Sequence, residues 1–387
     1  MIILHTIQDM NPLSGGPATC TFALLNHLNK LNLDIDLITL NTPKNNPKPI
    51  GINKKWMKAL TNDAILPIGY SKNVEKELKA SHYDLYHANG LWEFVIHQTC
   101  STARKKKKPY IISPHGSLYP NALKKSFWKK WPLLKLYINK DITKAYCIHA
   151  TCRQEMTFIR QYGYKGPIAV IANPINTIPA ADELFELKKN NLLNKNNKIT
   201  FGFLGRIHPI KKIENILYGA SLLDKKTKFK IVIIGKGDDA YEDFLRKEAD
   251  RLHLKDKVSF KGFIDGQEKY EELANMSALF VPSESENFGM IVPEALSVGT
   301  PVMASLGTPW EDLNKYNCGW WQDCSPENIA NILNYIKEMN HNELISMGVR
   351  GRKLVKENYS GEQIARDMTF LYSWILEGGE KPDFVYL

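Results

Sequence analysis

Residues 282–305 read PSESENFGMIVPEALSVGTPVMAS. An apolar run at 278–282 leads into them, Asn287 and Gly289 turn the chain, and Ile291, Ala295 and Leu296 then recur at helical spacing. A new apolar run begins near 302. Strand, helix and strand in that order form a crossover unit, which joins parallel strands of one sheet. Ligands of such sheets bind outside the carboxyl ends of the strands, so the loop after the first strand is where chemistry is sought. Two carboxylates mark it: Glu286 on the loop and Glu294, eight positions on, two turns into the helix. At different heights along one helix they can hold two parts of one elongated polar ligand, and the free N–H groups of the helix start favour an anion or sugar hydroxyls. A lone pair of acids more often marks a solvated helix face.

The same rhythm extends outward. Apolar runs at 2–7, 33–40, 84–88, 110–113, 146–150 and 168–171 alternate with helical patterns, and a second series starts at 200–204 and continues through 229–234, 258–261, 278–282 and 302–305. This is the pattern of parallel strands linked by crossover helices. Between the two series, 173–198 is rich in Asn, Pro and Lys, so 181–198 reads as a linker with room for one short helix. The expected organisation is an N-terminal doubly wound domain at 1–180, a C-terminal one at 199–360, and a C-terminal helix and tail at 361–387, where Ile364, Met368, Leu371 and Ile375 keep helical spacing.

A chain of 387 residues with 43% apolar content can bury two cores. No window reaches the roughly 18 to 20 consecutive apolar residues of a membrane span. The start lacks the basic segment of a secretory signal and reads as a first buried strand, which places the chain in the cytoplasm. The cysteines at 20, 100, 147, 152, 318 and 324 form no Cys-x-x-Cys pair, so they read as structural thiols. Charge is more informative. Residues 1–180 hold 24 Lys and Arg against 10 Asp and Glu, whereas the rest holds 27 against 31, so the basic character belongs to the N-terminal half, as expected of a surface that meets something anionic.

Other strand ends carry chemistry of their own. Gly205-Arg206 precedes Lys211 and Lys212 by a loop turning into a helix, and two cations five residues apart can converge on one diphosphate. Residues 231–237, IVIIGKG, and 260–263, FKGF, are strand-to-loop turns, with Gly235, Gly262 and Phe263 at their tips. In the first half, Ser14-Gly15-Gly16-Pro17 opens a helix whose dipole favours negative charge. His87 and His115 each end a strand, a position more often structural than catalytic; His87 and Asn89 read as residues that line a cleft.

Taken together and in this order, these segments resemble the retaining glycosyltransferases of family 4, group 1, which have the GT-B fold: α/β, with two Rossmann-like doubly wound parallel-sheet domains facing across a cleft. The resemblance implies a catalytic set of His115, Glu286, Arg206 and Lys211. It implies binding of a nucleoside-diphosphate sugar by Gly15, Gly16, Gly205, Arg206, Lys211, Gly235, Gly262, Phe263, Glu286, Asn287, Phe288, Gly289 and Glu294. In such enzymes the first acid, Glu286, lies by the donor sugar and the second, Glu294, holds the ribose, while Arg206 and Lys211 neutralise the leaving diphosphate and His115 hydrogen-bonds the sugar near the reacting carbon. No metal or other cofactor is then expected, and the C-terminal helix crosses back to the first domain. Two positions depart from the family pattern: Asn287 stands where Gly is commoner and Lys212 replaces the usual Gly after the lysine.

Surface-polysaccharide assembly on a glycan or polyprenyl-diphosphate-linked acceptor is the setting that the resemblance implies. The acceptor side has its own signal. Between 122 and 138, Leu123, Phe127, Trp131, Leu134 and Ile138 recur at three- or four-residue spacing among Lys124, Lys125, Lys129, Lys130 and Lys135, with Pro132 dividing two helices. This basic, aromatic-bearing face suits docking on the anionic inner leaflet of the membrane; the bland reading is an apolar stripe packed on the sheet beneath solvated lysines. An epimerase or hydrolase of the same fold, or a non-catalytic basic protein, are the competing readings, although no nucleic-acid motif accompanies the charge.

Overall fold

The structure, a computed structural model, describes residues 1–11, 16–41, 48–65, 69–125, 127–176, 178, 180–193 and 199–387. The chain forms two compact units, Met1–Asn176 with Gly361–Leu387, and Thr177–Ser360. In the first unit lie β1 (Ile2–Ile7), β2 (Asp34–Asn41), β3 (Met57–Thr61), β4 (Leu85–Asn89), β5 (Tyr110–Ser113), β6 (Cys147–Ala150) and β7 (Ile168–Val170). In the second lie β8 (Ile199–Leu204), β9 (Phe229–Ile234), β10 (Val258–Phe260), β11 (Ala278–Val281), β12 (Val302–Ala304) and β13 (Gly319–Trp321). The chain returns to the first unit with the helix Gly361–Glu377 and β14 (Val385–Tyr386).

Both sheets are doubly wound. The first has the order β14-β7-β6-β5-β4-β1-β2-β3, parallel except where β14 runs against β7. The second, β10-β9-β8-β11-β12-β13, is parallel throughout. Helices cover both faces of such sheets, so inner strands are apolar on both sides, as in β9 with Ile231, Val232, Ile233 and Ile234 all buried. The three strands not foreseen in the sequence, β3, β13 and β14, are all sheet edges. An edge strand has one neighbour and tolerates short, mixed segments, so its apolar signal is weak.

The stretch read as a linker with room for one short helix does hold a helix. Residues Ala181–Leu193 form a helix within the second unit, and Leu184, Phe185, Lys188 and Leu192 face inward at helical spacing. Lys188 is the reason its polar composition misleads. Its ammonium donates to the carbonyls of Ala274 (3.1 Å) and Met276 and to Thr300 Oγ1 (2.9 Å), capping the C-terminal end of the helix Gly266–Ala274 from inside the protein. Residues 194–198 lie outside the described residues.

The C-terminal helix packs on the helix Gly16–Lys30, and Ile364, Met368, Leu371 and Ile375 join Leu25 and Leu28 in one core. Gly361 permits this closeness, because a Cβ there would lie 2.2 Å from His27 Nε2. Pro132 does not divide two helices. Phe127–Leu133 is helical through it, continues as a π-helical turn, Leu134–Ile138, and ends as Asn139–Thr143. A proline offers no N–H to the preceding turn, and the wider turn that follows it accommodates the disturbed hydrogen-bond ladder. Among the described residues no helix is long and apolar enough to cross a membrane.

Candidate active site

In the second unit the loops after β8, β9 and β10 lie side by side. Gly205 donates to Ile234 O (3.0 Å), Gly235 donates to Gly262 O (2.7 Å), and Ile207 pairs with Gly237. The approach is so close that a Cβ on Gly235 would lie 1.8 Å from Gly205 O, so this position requires glycine. Phe263, beyond Gly262, is 61% exposed and free to meet a flat ligand. Arg206 is exposed and has no ion-pair partner among the described residues.

Lys211 ends the short 3-10 turn Pro209–Lys211, which His208 caps by accepting from Ile210 N (3.2 Å). Lys212 then takes a left-handed conformation, φ 50. That conformation explains why glycine is usual there; a lysine can adopt it at a cost of roughly 1 kcal/mol. Lys211 Nζ pairs with Glu286 Oε1, and buried Ser283 donates its hydroxyl to the same oxygen at 2.9 Å. The backbone of Glu286 is fixed as well, its N–H bonded to Gly307 O at 2.9 Å. Asn287 and Gly289 continue the loop. Phe288 turns inward, 5% exposed, where its ring packs 5.2 Å from that of Trp310 and its carbonyl accepts from the indole N–H. The Phe288 ring is therefore a buried anchor of the loop.

Glu294 has a partner that the sequence did not announce. Lys269, on the helix Gly266–Ala274, bonds Glu294 Oε1 at 2.9 Å, and both side chains are nearly enclosed, at 14% and 13% exposure. Burial pushes the Glu294 carboxyl upward and Lys269 opposes this. Burial also acts against the Lys269 charge, but Glu294, Tyr270 and Asp265 more than offset it and hold the ammonium above its usual range. The separation of 25 positions hides the pair from any local pattern. Among the described residues no cluster of three or more His, Cys, Asp or Glu has the arrangement to hold a metal ion.

In the first unit, Gly15 lies outside the described residues, and Gly16 is the exposed first residue of the helix Gly16–Lys30. His115 follows β5 and is left-handed, φ 47. Its Nε2 is buried without a hydrogen-bond partner among the described residues, and so is Thr21 Oγ1. Both side chains border a cavity of about 10 Å³, together with Asn89, His149 and Asn173. That is space for one water or one hydroxyl oxygen. Burial, with a smaller contribution from His149, holds the His115 ring down to about 3, so it is neutral at physiological pH.

The chain is similar to known proteins. The family described as "Glycosyl transferases group 1" matches residues 185–354, and "Glycosyltransferase Family 4" matches residues 14–178. The chain belongs to the group 1, family 4 glycosyltransferases. An uncharacterized glycosyltransferase of Methanocaldococcus jannaschii is 29% identical over 178 residues, 45% of each chain, so the chain spans under half the length of that relative. An uncharacterized 41.2 kDa protein in the cps region of Klebsiella pneumoniae is 26% identical over 78% of this chain and 81% of its own. Anabaena HepE, solved in complex with UDP and glucose, superposes with a TM-score of 0.74 at 18% identity, over 96% of this chain and 99% of that one, and the shared fold is GT-B.

In this glycosyltransferase His87 does not line a cleft. It is fully buried in a hydrogen-bonded chain whose direction follows from its ends. His149 Nε2 must donate to Ile171 O (2.8 Å), so its Nδ1 accepts from Ser113 Oγ (2.7 Å). Ser113 then accepts from His87 Nε2 (2.6 Å), His87 Nδ1 from Tyr372 (2.9 Å), and Tyr372 from His5 Nε2 (2.9 Å). Asn89 closes the series on His5 Nδ1 (3.3 Å). His5, His87 and His149 are thereby neutral Nε2–H tautomers. Asn89 has both roles, since it also borders the small cavity. The six cysteines are free thiols, five of them buried.

Proposed function

We propose that this glycosyltransferase moves a sugar, with retained configuration and without a metal ion, from a nucleoside-diphosphate sugar to a glycan or polyprenyl-diphosphate-linked acceptor in surface-polysaccharide assembly. The observation that carries the reading is the pairing of Lys211 with Glu286 on a loop braced by Ser283, with Arg206, exposed and without an ion-pair partner among the described residues, five residues before. In the reaction the bond between the anomeric carbon and the diphosphate oxygen breaks, and its electron pair leaves with the phosphate. Arg206 and Lys211 stabilise that charge, the role a metal has elsewhere. Glu286 and neutral His115 orient the sugar. The acceptor oxygen bonds to the same face of the carbon, and its proton passes to the departing phosphate oxygen. HepE, in complex with UDP and glucose, supports a nucleotide-sugar donor, and the relative in a cps region supports the polysaccharide setting.

The two acids test the reading. Glu294→Gln is expected to raise the dissociation constant of the free nucleoside diphosphate roughly tenfold, the effect of one charge-assisted hydrogen bond. Glu286→Ala is expected to slow transfer while leaving that constant unchanged or lower, because it releases Lys211 for the diphosphate. Titration calorimetry with UDP, GDP and ADP, beside initial rates with and without EDTA, measures both. Reversed effects exchange the roles, and loss of activity in EDTA that Mg²⁺ restores removes the metal-free mechanism.

Docking on the inner leaflet of the cytoplasmic membrane belongs to the same reading. Trp128 is 86%, Leu136 75% and Trp131 45% exposed, beside exposed Lys124, Lys125 and Lys135, while Tyr137 and Ile138 hold the segment to the core. Apolar tips among lysines suit an anionic interface, at about 1 kcal/mol per basic residue. Co-sedimentation is expected with anionic vesicles, not with neutral ones, and is expected to fail for the Lys124/Lys125/Lys129/Lys130→Glu variant. Equal sedimentation of both proteins with both lipids rejects docking.

A further inference from the structure

Glu155 is the least exposed carboxylate of the first unit, at 0%, on the first turn of the helix Arg153–Tyr162. A glutamate three residues after the helix cap ordinarily reaches back to the cap's own N–H. Cys152 is the cap here, but Glu155 does not close on it. Oε2 accepts from Thr151 N (2.7 Å) and Thr151 Oγ1 (2.8 Å), and Oε1 reaches 39 residues away to the N–H of Gly116 at 2.6 Å. An enclosed carboxylate is tolerated when several donors surround it, and these three meet that demand.

The residue before Gly116 is His115, and both are left-handed, at φ 47 and φ 78. Without a Gly at position 115 this turn is strained by about 1 to 3 kcal/mol and persists only where neighbours fix it. Ser117 N bonded to Pro114 O (3.0 Å) closes the turn locally, but among the described residues only Gly116 N hydrogen-bonds it to another element. The strands β5 and β6 are adjacent, which brings the two loops together. We propose that Glu155 is the positioning residue that holds His115 in its left-handed conformation and so aims its ring at the donor sugar. The inference rests on the role proposed for His115. Glu155 itself touches no reacting atom; it acts through one backbone N–H.

Glutamine at 155 keeps one acceptor oxygen and turns an NH₂ group on the remaining donors, so it cannot hold Thr151 and Gly116 together. Glu155→Asp keeps the charge at the helix start but falls one methylene short of Gly116. Either variant is expected to lower kcat by about 10²-fold, the cost of roughly 1 Å of misplacement, with the KM for the donor and the Kd of free UDP unchanged. The decisive readout is a double-mutant cycle. In a His115→Ala background the same Glu155 change is expected to cost nothing further, whereas a merely structural role lowers both backgrounds by the same factor. If His115→Ala is slow and folded Glu155 variants are as fast as the native enzyme, the inference fails and the role of His115 stands; if His115→Ala is itself fast, the catalytic reading fails. Should neither variant fold, hydrogen exchange of the Gly116 amide in the native protein decides: strong protection is expected, and rapid exchange overturns the proposal.

Discussion

Replacing Arg206 with alanine is expected to lower sugar transfer about 10²-fold, and replacing Lys211 to approach 10³-fold, the range for losing one group that stabilises transition-state charge. The two differ because of what each leaves behind. Arg206 is exposed and without an ion-pair partner among the described residues, so its loss removes a cation and nothing else. Lys211 shares a nearly enclosed pair with Glu286, so its loss also leaves an uncompensated carboxylate beside the leaving charge. Melting temperatures are expected to move little for Arg206→Ala. Initial rates with saturating donor, beside thermal unfolding, separate damage to chemistry from damage to the fold, and near-native transfer by Arg206→Ala is incompatible with the diphosphate clamp.

Acid is expected to unfold the first unit steeply. Burial holds His5 near 3 and His149 near 4, and His87 well below its ordinary range with His5 and His149 adding to the shift. Each ring is neutral when folded and titrates near 6.5 when unfolded, so the unfolded chain binds more protons below that pH. The stabilisation is therefore complete above pH 6.5 and falls as pH drops toward 4. With His115, likewise held near 3, four rings give a slope of about 5 kcal/mol per pH unit in that window. Denaturant unfolding at pH 7.5, 6.0 and 5.0, followed by hydrogen exchange in the first unit, measures it. A flat dependence between pH 7 and pH 5 contradicts the neutral rings, and His149→Asn is expected to reduce the slope by about a quarter.

Much of the fold was legible because it is written in local pattern. The inner strands of both sheets are short apolar runs between helical spacings, and β1, β5 and β9 fall where those runs fall. What was misread has physical causes. The edge strands β3, β13 and β14 need little apolar surface, and the packing of the helix Ala181–Leu193 into the second unit hides behind a buried lysine that looks like a solvent residue. Pro132 is held within a helical segment that Tyr137 and Ile138, buried in the core, keep in place.

The sequence by itself determined the strand-end loops and their order, and with them the residues Arg206, Lys211, Glu286 and Glu294, because a turn or a helix start depends on neighbours in the chain. Only the tertiary structure decided who meets whom. Lys269 joins Glu294, Glu155 reaches Gly116, and Tyr372 stands between His5 and His87, across separations of 25, 39, 367 and 285 residues. Partners at such distances are fixed by strand order and by the return of the C-terminal helix. A buried ring or carboxylate then takes its charge from those partners and from its exclusion from water, neither of which a residue's own neighbours in the chain prescribe.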